Sequence, residues 1–436
     1  MTARQHSPIP GRYSRRGFMG LAGAALGSTF LAACGSGSSG GSGGGGNTVK
    51  FWDTPWGPDS YINAAKTLVQ DYKPSSGHAK ASYQTIPWAN FLQTFSSAIA
   101  SKTGPTASSG AAYQALQYFK QGAIAPADKL VAKMKTQDYL DGIIEPLKYQ
   151  GSYVAVPWAM DFRVLYYRKS LLEKAGADVP TDWDSLRAAC VKLNKIGVSG
   201  FGMAGGSGLA SQQVLSLMFN NGGGMFDQDG KPDCVTDRNI ETLDLLRELV
   251  SVGAIQQRYV SYTPDNLNAD FASGKVAMAF NTGGQDLFVP PADRDDVLVA
   301  SPLTGPHGDK GTLYFLNNLM MYKTPVPQED TEAFLTYYLD NMQEYWKQGI
   351  VFTLPVRKSI IDLPEFQKNA NRVKIAAEWQ PVGRTEASVG THLFPSLNAV
   401  DGGQALTTFS QQVIQGRTSS RTLLENLQKG ITAVSG

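Results

Sequence analysis

The spacing of hydrophobic and polar positions changes along this chain. "TVKFW" (48–52) alternates, which predicts a half-buried strand. From Asp59 to Tyr72 the period lengthens, and Tyr61, Ile62, Ala65, Leu68, Val69 and Tyr72 fall on one helix face. "KASYQTIP" reads as a second strand. Trp88, Phe91, Leu92, Phe95, Ala98 and Ile99 mark a second helix that stops before Gly104-Pro105. Strand, helix, strand, helix is the order of a parallel sheet with helices on its faces.

The same alternation of periods continues. "YVAVPW" and "VLYYRK" read as strands, and Asp182 to Lys195 as a helix stopped by Gly197. "GFGMAGG" leads into an apolar helix from Leu209 to Asn220. Thr236 or Asp237 can cap the helix that runs through Val252. "GKVAMAFNTGG" is a strand ending in a glycine turn, "LNNLMMYK" is another strand, and Thr331 to Gln348 reads as one long helix. No repeat of solenoid period occurs. The fold class is therefore α/β, with strands that end in Gly, Pro and Trp-bearing loops. In open α/β sheets ligands bind at the carboxyl ends of strands. That rule draws attention to "VKFWDTPWGPDS" (49–60), where Trp52, Asp53 and Trp56 follow the first strand into a turn.

The first residues read as a targeting segment. "SRRGFM" carries Arg15 and Arg16 and resembles a twin-arginine export signal, and "LAAC" resembles a lipobox whose Cys34 receives lipid. Residues 1–33 are thus expected to be removed. Residues 34–47 hold the lipidated Cys and the Gly/Ser tether "GSGSSGGSGGGG", a composition that cannot bury a core. Cleavage removes four of the 39 basic residues (Arg4, Arg12, Arg15, Arg16) and none of the 37 acidic ones, leaving a formal charge of −2. No basic stripe suggests nucleic acid as a partner. No later apolar run has the length of a membrane span. The expected location is outside the cytoplasm, held to the outer face of the membrane by lipid. Cys190 lies on an apolar helix face and Cys234 in a turn-rich stretch, so the pair reads either as a disulfide or as two buried thiols.

Several chemistries have no counterpart in the sequence. His78, His307 and His392 lack metal-ligand spacing, and there is no HExxH, paired CxxC, Walker A or G-x-S-x-G. No metal, cofactor or catalytic residue is expected. "GMAGGSGLA" lacks the G-x-G-x-x-G register and reads as a tight strand-to-helix turn.

Other segments carry a resemblance. "GSYVAVPWAMDFRVLYYRKSLLEKAGADVPTDWDSLRAACVKL", "NNGGGMFDQDGK", "DFASGKVAMAFNTGG" and "TPVPQEDTEAFLTYYLDNMQEYWKQGIVFTLPVRKS" together resemble family 1 of the extracellular solute-binding proteins. These are the carbohydrate-binding components of ABC importers. One departure is Thr106, which stands where the family often has Asp, just ahead of Ser108, Ser109 and Tyr113. The resemblance implies a periplasmic-binding-protein-like fold (type II), with two lobes of mainly parallel sheet hinged by crossing strands. The lobes would be 48–154 plus 300–356, and 155–299 plus 357–436. Crossings would fall near Ala155-Val156-Pro157, Ala300-Ser301-Pro302 and Pro355. It also implies a monomeric receptor that takes a sugar from the cleft to an ABC permease, and no bond chemistry.

A sugar site needs flat aromatics for C–H faces and planar polar groups for hydroxyl edges. Trp56 is the leading stacking candidate, with Asp53 beside it and Trp52 nearer the core. Trp88 continues a helical apolar face, which favours a core position over the site. By resemblance Ser109, Tyr113, Trp158, Asp161 and Arg163 face the cleft. Gly283, Gly284, Gln285 and Asp286 bring backbone and side chains to the ligand, and Asp401 and Gln404 cover it. Arg357 and Trp379 are open between site and structure, whereas Trp183 and Trp346 read as structural. Two rivals share these features. One is a secreted glycoside hydrolase with a carboxylate pair. The other is a receptor for a non-sugar solute such as a polyol or a phosphodiester.

Overall fold

A computed structural model of the chain describes residues 48–111, 113–387 and 392–435. The export signal, Cys34 and the Gly/Ser tether lie outside the described residues. The strands, in chain order, are β1 (Thr48–Asp53), β2 (Lys80–Thr85), β3 (Ala107–Gly110), β4 (Lys148–Tyr149), β5 (Ser152–Tyr153), β6 (Val156–Phe162), β7 (Val164–Arg168), β8 (Ser199–Phe201), β9 (Val276–Asn281), β10 (Val297–Val299), β11 (Thr312–Met321), β12 (Leu354–Pro355) and β13 (Gly383–Arg384). One sheet has the order β12-β6-β11-β3-β1-β2, with β13 added against β11. A second sheet has the order β10-β7-β9-β8, and β4 with β5 forms a small hairpin. The α/β class stands as expected, but the pairing is more mixed than the mainly parallel sheets anticipated. β1 pairs in parallel with β2 and β3, whereas β11 runs antiparallel to β3 and β6. In the second sheet only β8 and β9 are parallel.

The periodicity explains which faces are buried. Helix Asp59–Gln70 turns Tyr61, Ala65 and Val69 inward, as its spacing predicts. Helix Trp183–Lys195 begins at a capping box: Asp182 accepts the Ser185 amide N–H, and the Ser185 side chain reaches back to the Asp182 amide. Thr236, not Asp237, caps helix Asp237–Ser251. Helix Gly208–Asn220 is buried along nearly its whole length, because helix Gln404–Gln415, helix Asp237–Ser251, β11 and β9 all pack on it. The long helix expected from Thr331 to Gln348 is instead two, Gln328–Asn341 and Glu344–Lys347. Asn341 turns its amide back onto the Tyr337 carbonyl at 2.8 Å, a local bond that competes with helix continuation.

Cys190 and Cys234 are both free and buried, so the disulfide reading gives way to two buried thiols. Burial pushes each thiol up to about 12, which leaves neither as a thiolate at neutral pH. Among the described residues no helix is long and apolar enough to cross a membrane.

The chain changes sheets at Arg163, between β6 and β7, several residues beyond the Ala155-Val156-Pro157 segment expected to cross. It returns between β10 and β11. Two bonds fasten the junction: the Arg163 amide donates to the Leu313 carbonyl at 2.9 Å, and the Thr312 hydroxyl donates to the Arg163 carbonyl.

Candidate functional site

Strand direction decides where the site lies. β3 and β6 are both antiparallel to β11, so β1, β3 and β6 all run the same way. Their carboxyl ends, Asp53, Gly110 and Phe162, lie along one edge of the sheet. β12 runs against β6, so its start at Leu354 reaches the same edge, with Phe352 and Thr353 just before it. The turn after β9 approaches this edge from the second sheet.

Asp53 is fully buried there, and four donors surround it. Trp56 Nε1 (3.2 Å) and Ser109 Oγ (2.5 Å) donate to one carboxyl oxygen, and the Tyr61 (3.0 Å) and Tyr83 (3.2 Å) hydroxyls donate to the other. Burial raises its pKa to about 6 against the pull of those hydrogen bonds. Its acceptor sites are occupied by protein, so the expected sugar carboxylate is a mount for Trp56. Ser109 belongs to the same mount, since its hydroxyl also accepts from Trp56 Nε1 at 3.1 Å.

From Trp56 a row of aromatic rings extends along the edge. Trp56 meets Trp88 at 4.9 Å and 87°, and Trp158 at 5.4 Å and 78°; Trp158 in turn meets Trp346 at 6.0 Å. Near-perpendicular packing of this kind is favoured by the ring quadrupoles. Phe352 closes the row, 6.2 Å from Trp56, and its amide donates to the Trp56 carbonyl at 2.9 Å. Trp56 and Trp158 are both 1 % exposed, whereas Trp88, expected in the core, is 39 % exposed. The buried Trp158 N–H has no hydrogen-bond partner among the described residues.

The polar half of the site gathers at Arg163. Its guanidinium lies 2.8 Å from Asp161, donates through Nε to Gln212 Oε1 at 2.8 Å, and covers the Phe315 ring at 5.2 Å. Tyr113 packs edge-on against Phe315, and its hydroxyl accepts the Glu386 amide N–H at 2.9 Å. The Glu386 and Asp401 carboxyls bond to each other, with Arg163 facing both and Gln212 reaching Asp401. Burial raises all three acids, Asp161, Glu386 and Asp401, above the ordinary carboxylate range, and Arg163 opposes the rise. Two carboxyls in direct contact hold one proton more easily than none.

The second sheet meets the first through a glycine turn. A Cβ on Gly283 would sit 2.8 Å from the Phe352 carbonyl oxygen, and one on Gly284 would sit 2.6 Å from the Phe352 Cβ. The glycines expected to let backbone approach a ligand here let backbone approach Phe352. Next to them Gln285 accepts from the Asn281 amide and keeps a buried N–H₂ without a partner among the described residues. Asp286 faces Arg372, whose guanidinium crosses to the Gly349 and Val351 carbonyls at 3.1 and 2.6 Å. Gly284→Ala is expected to cost about 1–3 kcal/mol or to hold the two sheets apart. Thermal unfolding and the radius of gyration in solution check this; an unchanged value of both would show that the close approach is not held.

Other expected site residues lie elsewhere. Arg357 is a structural tie, donating to Asp138 at 2.7 Å and to the Leu339 carbonyl at 2.9 Å. Trp379 is buried against the second sheet, edge-on to Phe280 at 5.9 Å and donating to the Ala300 carbonyl at 2.8 Å. Gln404 is exposed, and its side-chain amide bonds along its own helix to Thr408. Trp52 packs against Phe95 at 5.3 Å as a largely buried strand residue. Phe315, Phe352, Gln212 and Glu386 were not singled out in the sequence. Each is a single residue in a strand, loop or helix with no local signal; long-range packing sets Phe352 beside Trp56 and the other three around Arg163.

Comparison with known proteins agrees with this geometry. The sequence pattern of bacterial extracellular solute-binding proteins matches residues 58–345. A sugar transporter from Arthrobacter chlorophenolicus A6, solved with bound laminaribiose, is 46 % identical; the match covers 88 % of this chain and 99 % of that one, with a TM-score of 0.84. The GacH receptor of Streptomyces glaucescens (22 % identity, 89 % and 98 % of the two chains, TM-score 0.74) shares the fold. So does maltose-bound MalE3 of T. maritima (18 %, 88 % and 99 %, 0.76). With its two sheets, its crossing strands and a match that spans most of its length, the chain belongs to the bacterial extracellular solute-binding protein family.

Proposed function

We propose that this protein captures a neutral di- or oligosaccharide between its two lobes and delivers it to an ABC permease. The observation that carries this reading is the 46 % identity with a transporter that holds laminaribiose. The site supports it: an aromatic row beside clustered carboxyls and amides suits the faces and edges of a sugar. Arg163 already has anionic neighbours, which disfavours a phosphodiester. The lobes are best taken to divide at Arg163, with Arg357 in the first lobe, where Asp138 holds it. Ligand contacts made from both lobes would shift the population to the closed state, which the permease would recognise. After export, lipid on Cys34 and the Gly/Ser run that follows it would hold a monomer at the outer face of the cytoplasmic membrane, within reach of that permease.

No reaction is assigned. Glu386 and Asp401 bond to each other, whereas paired glycosidase carboxyls stand about 5–9 Å apart with the scissile bond between them. Titration calorimetry of the full chain with laminaribiose is expected to saturate at one ligand per chain, without cleavage on long incubation. Time-dependent cleavage would favour the hydrolase, and no response to any neutral sugar would remove the ligand class.

A further inference from the structure

We infer that Trp88 is the sugar-stacking platform of this receptor, and that Trp56 and Trp158, the rings that local sequence favours, are its backing. The inference rests on the sugar-receptor reading and specifies which ring meets the ligand. The chain has seven tryptophans, and six of them are at most 8 % exposed, with their faces covered by protein. A ring can stack on a sugar only through an open face. Trp88, at 39 % exposure, is the tryptophan with ring surface left to offer one.

Exposure alone would mean little, since scattered surface hydrophobics are common. What sets Trp88 apart is that it is held. Its indole N–H donates to the Pro55 carbonyl at 3.0 Å, which fixes the ring about its long axis. Trp56 stands perpendicular to it at 4.9 Å, and Phe91 packs on it at 5.2 Å and 63°. Trp56 is itself pinned by Asp53 and Ser109. A buried carboxylate, a serine and a tryptophan thus fix the pose of one exposed indole. Its position is at the end of the row that leads inward to Trp158, whose buried N–H lacks a partner. A ligand lying along this row would place an outer ring on Trp88. Pre-ordering of the ring removes an entropic cost of binding.

Acrylamide quenching of the full chain tests this directly. In the free protein the accessible fraction of emission should come from Trp88 and vanish in Trp88→Phe. Saturating laminaribiose should shield that fraction. Trp88→Ala should weaken laminaribiose binding about tenfold or more, the loss of one aromatic contact with its buried area. Trp88→Phe should fall between, and both should melt close to wild type. If wild type binds the sugar while Trp88 stays fully quenchable, or if Trp88→Ala binds as wild type does, the inference is wrong and the receptor reading stands. If wild type binds no sugar, the receptor reading itself fails.

Discussion

Arg163→Ala is expected to destabilise the protein by about 3–5 kcal/mol, the usual cost of stranding one member of a buried ion pair, and to abolish sugar binding. One guanidinium holds Asp161, Gln212 and the Phe315 ring, and faces the Glu386–Asp401 pair. Its removal takes the facing cation from the buried Asp161 and Glu386 and the half-buried Asp401. The effect should depend on pH in a definite direction. An acid whose folded pKa is raised contributes stability that is present below its unfolded pKa and lost as pH rises through the folded value. Without Arg163 the three acids rise further, so the deficit of the variant should grow from pH 5 to pH 8. Arg163→Lys keeps the charge but not the planar fork and should recover part of the stability. Urea denaturation at the two pH values measures this, and a deficit independent of pH would show that Arg163 acts through packing alone.

Asp53 gives the second large effect. Its pKa, about 6 in the fold against an ordinary value of 3.8, makes the folded state the stronger proton binder. Stability from this group is full below pH 4 and is lost as pH rises through 6, a change of about 3 kcal/mol for a fully buried acid. Asp53→Asn cannot ionise and should lack this loss. The amide can still accept from Trp56 and Ser109, and the Tyr61 and Tyr83 hydroxyls can turn to accept from it. Asp53→Ala, by contrast, strands four buried donors and should be severely destabilised. Wild-type and Asp53→Asn stability curves that run parallel from pH 4 to pH 7 would overturn this account of the carboxyl.

Much of the architecture was legible in the sequence because its signals are local. Two-residue alternation marks β1, 3.6-residue spacing marks helix Asp59–Gln70, and Asp182 with Ser185 writes its own helix start. The site was legible in part. Position at a strand end brings out Asp53 and Trp56, the family resemblance brings out Asp161 and Arg163, and all four lie at the shared edge. Their roles were hidden, because a role depends on partners remote in sequence. Nothing near Asp53 says that Tyr83 and Ser109 will fill its oxygens. The spacing of Trp88 fits the apolar face of the helix that follows, which points to the core. In the structure it sits one turn early, in a 3-10 segment, where the ring turns outward and bonds Pro55. The change of sheet at Arg163 has no local signal, because β6 and β7 are separated by a single residue and read as ordinary neighbouring strands.

The length of β11 has a mechanical consequence. Its first residues are clasped by helix Gly208–Asn220, where Ser216 Oγ accepts the Leu313 amide at 3.4 Å, and its last residues lie between β3 and the Ile124–Ala125 segment. With lobes divided as proposed, this single extended segment would act as an axle rooted at both ends. Opening would be taken up as torsion over a few peptide units around Thr312, with little sliding of either layer. Amide hydrogens along the middle of that axle should exchange slowly in both open and closed forms, while those at its twisting end should report each cycle of ligand capture.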